Sequence, residues 1–221
     1  MRKTQSAAAQ QFSRPFWLAN ILRERIVGGV WQPGTRIREA DLQQEFGFSN
    51  GPIREALQMI VADGLAERTP WQGVRVVAHD EKQIVELFEV RLALLEYAAE
   101  LAARRAPEDA LAAAPAIKQA MDQGFVEIAA GGGHPAFHGK LSQWLLGATG
   151  NAKLHRLWDA TMLQTLIYVN ASLRKSAGAK TKGLIHDLID AITARDAAAA
   201  RKAARELTRQ TLLDLGINGI V

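Results

Sequence analysis

Apolar residues recur every three or four positions in three segments near the start of the chain, a spacing that predicts three helices. The first covers Phe16–Val30, the second Glu39–Phe46, and the third runs from Ser49 to about Asp63. We expect Ser49 to cap the third helix by accepting a hydrogen bond from an unpaired backbone N–H. The pattern therefore indicates three consecutive short helices.

The apolar period changes after Gly64. Leu65–Thr69 and Val74–Val77 have the composition of two short strands, and the segment between them contains Pro70 and Gly73. This predicts a β-hairpin. Three helices followed by a hairpin is the element order of a winged helix-turn-helix.

The pattern beyond Asp80 is typical of helices only. The candidate helices are Glu81–Arg105, Glu108–Ala129, His134–Gly147, Ala152–Lys175, Thr181–Arg195 and Ala197–Leu215. Such a series predicts an antiparallel all-α helical bundle. We thus predict a mainly α chain with a flexible arm over residues 1–15, a winged helix-turn-helix over residues 16–78 and an all-helical domain over residues 81–221.

Composition removes several classes of protein. The 221 residues include no cysteine, which excludes disulfides, thiolate metal sites and cysteine nucleophiles. Met1–Arg14 has no apolar stretch of the length of a signal peptide, and no later segment reaches the roughly 20 apolar residues of a membrane span. We expect a cytoplasmic protein without a membrane partner.

The net charge of +4 is unevenly distributed along the chain. Through Ala78 there are ten basic and seven acidic residues, so most of the positive excess lies in the first 78 residues. Three of the ten basic residues, Arg2, Lys3 and Arg14, belong to the predicted arm. A basic excess in the segment that comprises the arm and the helix-turn-helix favours an anionic partner, here double-stranded DNA.

The third predicted helix separates an apolar face from a polar one. Ile53, Leu57 and Ile60 form an inward stripe, whereas Asn50, Arg54 and Gln58 lie together on another side. Arg pairs with guanine and Asn with adenine in the major groove, so Arg54 and Asn50 are the leading candidates for reading bases, with Gln58 beside them. Candidate contacts to the DNA backbone are Arg38, Ser49, Gly51 and the hairpin tip at Trp71, Gln72 and Gly73. The alternatives are an ion pair of Arg54 with Glu55 or Glu24 on a solvated face, and a helix-turn-helix that binds protein.

The first domain resembles the DNA-binding domain of GntR-family regulators. The resemblance rests on Pro33–Leu42, Gly47–Ser49, Pro52–Leu57, Asp63–Leu65 and Gly73–Val76. One position departs from the pattern, because the family commonly has Arg where this chain has Asn50. If that Arg reads a base, the resemblance implies a different preferred operator here.

The helical domain resembles the FadR-like branch of the same family. The similar residues are Arg91–Glu96, Phe137-His138 with Leu141, Gly150-Asn151, Asp190–Ile192 and Arg195-Asp196. The resemblance implies an FCD-type domain that binds a small-molecule effector, frequently a carboxylate, and often a metal ion. It also implies a transcription regulator, more commonly a repressor. We expect a homodimer, because two recognition helices related by a two-fold axis read a palindromic operator.

A divalent metal such as Zn²⁺ or Ni²⁺ is implied by the branch, but the ligand set is incomplete. His134 and His138 occupy the first two ligand positions and share one helix face. The other two positions fall on or near Ile185 and Leu207, which cannot coordinate a metal, and His186 is one residue out of register. His138 as a hydrogen-bonding pocket residue and His134 as a helix-start residue are the alternatives.

A carboxylate bound without metal needs another counter-charge. Arg91 is the candidate, with His134 and His138 as further donors, and Tyr168 and Asn170 completing the effector site. A structural ion pair of Arg91 is the alternative, and its partner would come from another helix, because Leu87, Phe88, Leu94 and Leu95 fill the neighbouring positions on its own helix.

No nucleophile–base pair, phosphate loop or dinucleotide fingerprint is present, so we do not expect an enzyme. A hydrolase using His134, His138 and Asp159 is one competing interpretation. The other is a ligand-binding or scaffolding protein whose helix-turn-helix has lost its operator.

Overall fold

The computed structural model describes residues 3–69, 73–130, 136–176 and 179–218. The chain divides into two units on either side of the His79–Asp80 bond. The first unit contains a small β-sheet. In the second unit, the only regular elements among the residues described are helices. The predicted fold class is confirmed: a mainly α chain with an N-terminal winged helix-turn-helix and a C-terminal helical domain.

The described residues of the first unit form three helices and three short strands. They follow the order α1 (Lys3–Val27), β1 (Arg36–Ile37), α2 (Glu39–Phe46), α3 (Asn50–Ala62), β2 (Ala66–Thr69) and β3 (Gly73–Val76). The strands pair antiparallel in the order β1-β3-β2. Leu18, Leu22, Ile53, Leu57 and Ile60 are fully buried, so α1 and α3 supply the centre of this core.

Three details of this unit differ from the prediction. Strand β1 was not predicted, because two residues are too few to show a strand period. Helix α1 already begins at Lys3, within the segment predicted as an arm, because its Ala- and Gln-rich sequence favours helix without any apolar periodicity. Ser49 has an extended N-cap backbone, but its side chain makes no capping hydrogen bond. The third helical residue after this cap is Pro52, which has no N–H to donate.

The second unit consists of seven helices in the residues described. They are α4 (Glu81–Arg105), α5 (Glu108–Ala112), α6 (Ala114–Ala129), α7 (Ala136–Thr149), α8 (Ala152–Ser176), α9 (Ala179–Thr193) and α10 (Ala197–Leu215). The predicted single helix over 108–129 is divided at Ala113, because Pro115 cannot donate to the carbonyl of Leu111 and its ring crowds that carbonyl. None of the helices described is long and apolar enough to cross a membrane.

Helices α4 and α10 pack closely through small side chains. Ala99 and Ala103 on α4 and Ala200 and Ala204 on α10 belong to one buried cluster. Alanine lets helix axes approach because little side chain separates them. The alanine-rich stretch at the start of α10 is therefore a packing surface.

An ion cluster joins the same two helices beside this surface. Glu96 on α4 is 9% exposed and accepts hydrogen bonds from Arg205 Nε at 2.7 Å and Arg201 Nη2 at 3.3 Å. Burial raises the pKa of Glu96, but the hydrogen bonds from Arg205 and Arg201 outweigh it, so the pKa lies below its ordinary value. The carboxylate is thus stabilised in its ionised form.

We expect Glu96→Gln to lower the free energy of unfolding by about 1–2 kcal/mol at pH 7, because Gln leaves two arginines without their anion. Since the folded pKa lies below the ordinary value of 4.5, this stabilisation is complete above about pH 4.5 and is lost as the pH falls through the folded pKa. Urea denaturation at decreasing pH measures it. The matched control is Glu86→Gln, which removes the exposed Lys82–Glu86 pair and changes stability by less than about 0.5 kcal/mol. Equal effects of the two variants would contradict this account of Glu96.

Candidate nucleic-acid interface and ligand cavity

Helix α3 presents a polar face outside the core of the first unit. Asn50, Arg54 and Gln58 are exposed, while Ile53 and Leu57 on the same helix are fully buried. The spacing of four residues aligns the three polar side chains. The structure thus brings together the three side chains for which base reading was predicted.

Arg54 is held in place by an acidic residue on the preceding helix. Its Nε donates to Glu39 Oε2 at 2.9 Å, and the Arg54 side chain is 61% exposed. The partner is therefore Glu39 of α2, where the sequence had suggested Glu24 or Glu55 as alternatives. An ion pair this exposed is worth roughly 0–1 kcal/mol, so Arg54 can leave it for a base or a phosphate at little cost.

Asn50 is also supported from α2, by a residue that the sequence analysis missed. Gln43 Nε2 donates to Asn50 Oδ1. Gln43 shows no sequence signal for this role, because its contact depends on the angle between α2 and α3. The amide group of Asn50 is consequently oriented before any DNA is present.

Three of the candidate phosphate contacts are accessible around the helix starts. Arg38 precedes α2, and Ser49 and Gly51 stand at the start of α3, all exposed. Backbone N–H groups at a helix start attract anions such as phosphate. These positions suit backbone contacts on either side of Asn50 and Arg54.

The sheet adds two cations that the sequence analysis did not select. Arg36 on β1 lies opposite Arg75 on β3, so both side chains stand on one face of the sheet. Arg75 Nη1 donates to the carbonyl of Gly34 at 3.2 Å. Their proximity depends on the pairing of β1 with β3, which the sequence did not predict.

The hairpin tip is described only in part. Gly73 is exposed and has φ +83°, a left-handed conformation that glycine adopts without strain. Trp71 and Gln72, also predicted at the tip, lie outside the described residues.

The second unit contains a partly open cavity of about 100 Å³. Residues from α4, α7, α8, α9 and α10 line it. Most of the lining is apolar and includes Phe88, Leu95, Leu141, Leu145, Met162, Leu166, Val169, Ile185, Leu188 and Leu207. Enclosure by several helices and an apolar wall are typical of small-molecule sites.

Arg91 is the cation of this cavity and is only 6% exposed. Its Nη1 donates to the carbonyl of Trp158 at 3.0 Å and to Thr161 Oγ1 at 3.2 Å, and its Nη2 approaches Met162 Sδ at 3.0 Å. The guanidinium lies 3.3 Å from the centroid of the Trp158 ring. Cation–π contact and neutral acceptors thus hold the charge, and no carboxylate of the described residues pairs with it.

Burial lowers the pKa of Arg91 to about 9, opposed by the attraction of Asp159. The guanidinium therefore remains cationic at neutral pH. The predicted alternative, a structural ion pair, has no partner within the part of the chain described. A buried cation that no carboxylate of the described residues pairs with is the electrostatic arrangement that an anionic ligand would complete.

Two other polar atoms beside the cavity lack partners in the described residues. Trp158 Nε1 and Thr181 Oγ1 are buried and form no hydrogen bond there. Sequence analysis selected neither residue, because an isolated Trp or Thr in an apolar pattern looks like a core residue. Only their tertiary surroundings show that their polar atoms are unsatisfied.

Tyr168 and Asn170 were predicted in the effector site but do not line the cavity. Both are buried on α8, whereas its cavity face is formed by Trp158, Met162, Thr165, Leu166 and Val169. At about 100° per residue, Tyr168 and Asn170 fall to either side of that stripe. The prediction considered their residue types and not the helix face.

The residues present do not fit the metal site of the FadR-like branch. Ile185 and Leu207, at two of the four ligand positions, line the cavity with side chains that have no donor atom. His186 Nε2 instead lies 3.0 Å from Asp122 Oδ1. The described residues contain no group of three metal-ligating side chains. His134 lies outside the described residues, and His138 is in the first turn of α7 with its side chain not described.

Comparison with known families matches both units. Residues 18–76 match the bacterial regulatory proteins of the gntR family, and residues 86–210, more than half of the chain, match the FCD domain.

Individual relatives agree with this assignment. The chain is 34% identical over 99 residues to the HTH-type transcriptional regulator YdhC of Bacillus subtilis, and the alignment covers 44% of each chain, less than half of that relative. It is 26% identical over 210 residues to the HTH-type transcriptional repressor GlaR of Escherichia coli, covering 87% of this chain and 89% of GlaR. The structure of E. coli McbR/YncC shares the fold, with a TM-score of 0.71 and 20% identity over 92% of this chain and 97% of that chain. The two sequence relatives are named as regulators and not as enzymes, which argues against the hydrolase interpretation.

We expect Arg91→Met to raise the free energy of unfolding of the ligand-free protein by about 1 kcal/mol or more, because an apolar side chain of similar length replaces an uncompensated buried charge. Urea denaturation of the purified chain measures the change.

The matched control is Arg209→Met on α10, where the side chain is exposed and the change should stay within about 0.5 kcal/mol. A loss of several kcal/mol in Arg91→Met would instead mean that the fold itself requires the charge.

Proposed function

Because the chain belongs to the GntR family of bacterial regulatory proteins and carries an FCD domain, we propose that it represses transcription in an effector-dependent manner. The first unit binds an operator in double-stranded DNA, and the second binds a small carboxylate that changes the affinity for DNA. The name of GlaR, a transcriptional repressor, supports repression over activation.

The exposed polar face of α3 is the observation that carries the DNA-binding part of the proposal. We infer that Arg54 pairs with guanine and Asn50 with adenine, each starting from a weak surface contact with α2. Arg36, Arg38 and Arg75 supply further positive charge for phosphates. Since the family commonly has Arg at the position of Asn50, we infer an operator whose sequence differs at the base that Asn50 reads.

The cavity carries the effector-binding part. Its buried Arg91 has no carboxylate partner in the described residues, so a carboxylate ligand would supply the missing charge. Ile185 and Leu207 offer no metal ligands, so we infer that the effector binds without a metal. Arg91 then takes the part that a metal ion has in other members of the branch.

The proposed regulator acts in the cytoplasm. We infer that it is a homodimer, because a single winged domain reads few base pairs, whereas two domains related by a two-fold axis read a palindrome. The effector must bind one arrangement of the dimer better than another in order to act. A coupling free energy of about 1–3 kcal/mol would change DNA affinity roughly 5- to 150-fold.

We expect Arg54→Ala to bind the operator at least 10-fold more weakly, since a bidentate arginine–guanine contact is worth about 1–3 kcal/mol. Wild-type protein first selects duplexes from a random library, and fluorescence anisotropy then measures affinity at two salt concentrations. A homodimer should select an inverted repeat with half-sites about one helical turn apart.

Arg209→Ala is the control for this experiment, because it removes an equally exposed arginine from the helical unit. It should bind the selected duplex within about twofold of wild type. Equal binding of selected and scrambled duplexes by wild-type protein would show only nonspecific charge attraction and would favour the scaffolding interpretation.

A further inference from the structure

Only a few polar groups of the cavity lining lack a hydrogen-bond partner within the described residues. The hydroxyls of Thr165, Thr208 and Thr211 each donate to a backbone carbonyl of their own helix, at 2.7, 3.1 and 3.1 Å. Their protons are therefore already used. Arg91, the Trp158 indole N–H and the hydroxyls of Ser142 and Thr181 remain for a ligand.

The donors left on Arg91 define the group that binds there. Nη1 uses its two protons on the Trp158 carbonyl and on Thr161, and Nη2 directs one proton at the weakly accepting sulfur of Met162. The Nε proton and the second Nη2 proton have no partner in the described residues. Two adjacent N–H groups on one edge of a guanidinium match the two oxygens of a carboxylate.

The rest of the cavity limits the ligand to one charge. Arg91 is the one cation among the described lining residues, so a second carboxylate would be buried without a counter-charge. A polyhydroxylated acid would likewise bury several hydroxyls against Leu145, Val169 and Leu188, which offer no hydrogen bonds.

We propose that the effector is a compact monocarboxylate with an apolar body, of the aromatic, alicyclic or branched aliphatic class, bound without metal. Its carboxylate binds the Nε–Nη2 edge of Arg91, with the Trp158 indole N–H as an additional donor. The hydroxyls of Ser142 on α7 and Thr181 on α9 contact at most two polar substituents on the body. This inference rests on the proposed function, since it specifies the ligand class of the same cavity.

Binding to the full-length protein without DNA tests the proposal. The probes are benzoate, cyclohexanecarboxylate and 3-methylbutanoate, compared with the neutral benzyl alcohol and benzamide, the dicarboxylate succinate and the sugar acid gluconate. We expect at least one of the three monocarboxylates to raise the melting temperature in a concentration-dependent way, and to bind at least 10-fold more tightly than the other probes by calorimetry. Added EDTA should leave that affinity unchanged.

Two variants distinguish the two-point hydrogen bonding of the Arg91 guanidinium from its positive charge. Arg91→Met should abolish monocarboxylate binding. Arg91→Lys should weaken it at least 10-fold, because a lysine ammonium keeps the charge but cannot donate two parallel hydrogen bonds to a carboxylate. Arg156→Met, which removes an exposed arginine from α8, is the matched control and should bind as wild type does. Urea denaturation of each variant verifies that it is folded.

Three results would overturn the inference: no monocarboxylate binds, gluconate or succinate binds more tightly, or binding requires added metal and is lost with EDTA. Because no DNA is present, these results leave operator binding intact. Conversely, monocarboxylate binding that Arg91→Met abolishes would support the inference even if DNA affinity proved insensitive to the ligand, in which case the proposed function would fail.

Discussion

A guanidinium buried beside a cavity, with no carboxylate of the described residues paired to it, is the constraint on which the proposed ligand binding of the helical unit depends. Arg91 of α4 is held by the ring and carbonyl of Trp158, by Thr161 and by Met162, all from α8. Neutral groups of this kind position a charge but do not neutralise it. Glu96 on the same helix differs, because its carboxylate accepts hydrogen bonds from two arginines of α10. One charge on α4 thus has its counter-ions within the fold, and the other is left for a ligand.

The two units use opposite electrostatic solutions for their two kinds of partner. The residues proposed to read DNA are exposed and weakly paired, so that Arg54 could exchange Glu39 for nucleic acid at low cost. The cavity shields its cation from water. Its surroundings are less polar than water, so the interaction of Arg91 with an anion is stronger there. A phosphate backbone demands many accessible charges, whereas a small ligand needs one well-placed fork and an apolar wall.

Elements with a long apolar period could be predicted from the sequence, and α2, α4 and α10 have the predicted bounds. The polar face of α3 and the importance of Arg91 also followed from spacing and from the family resemblance. The remainder depends on tertiary structure. Strand β1 exists through its partner β3, Gln43 reaches Asn50 across two helices, and Trp158 and Thr181 matter because their buried polar atoms lack partners. Tyr168 and Asn170 were chosen by residue type, and the rotation of α8 directs them away from the cavity stripe.

The central claim is that occupation of the Arg91 cavity changes the affinity of the DNA-binding unit for its operator. The most direct measurement is the Kd of full-length protein for its selected duplex, by fluorescence anisotropy at one fixed salt concentration, with and without a saturating monocarboxylate. The account predicts a change of roughly 5- to 150-fold in wild type and none in Arg91→Met. An unchanged Kd in wild type, at ligand concentrations where calorimetry shows the cavity to be filled, would contradict it.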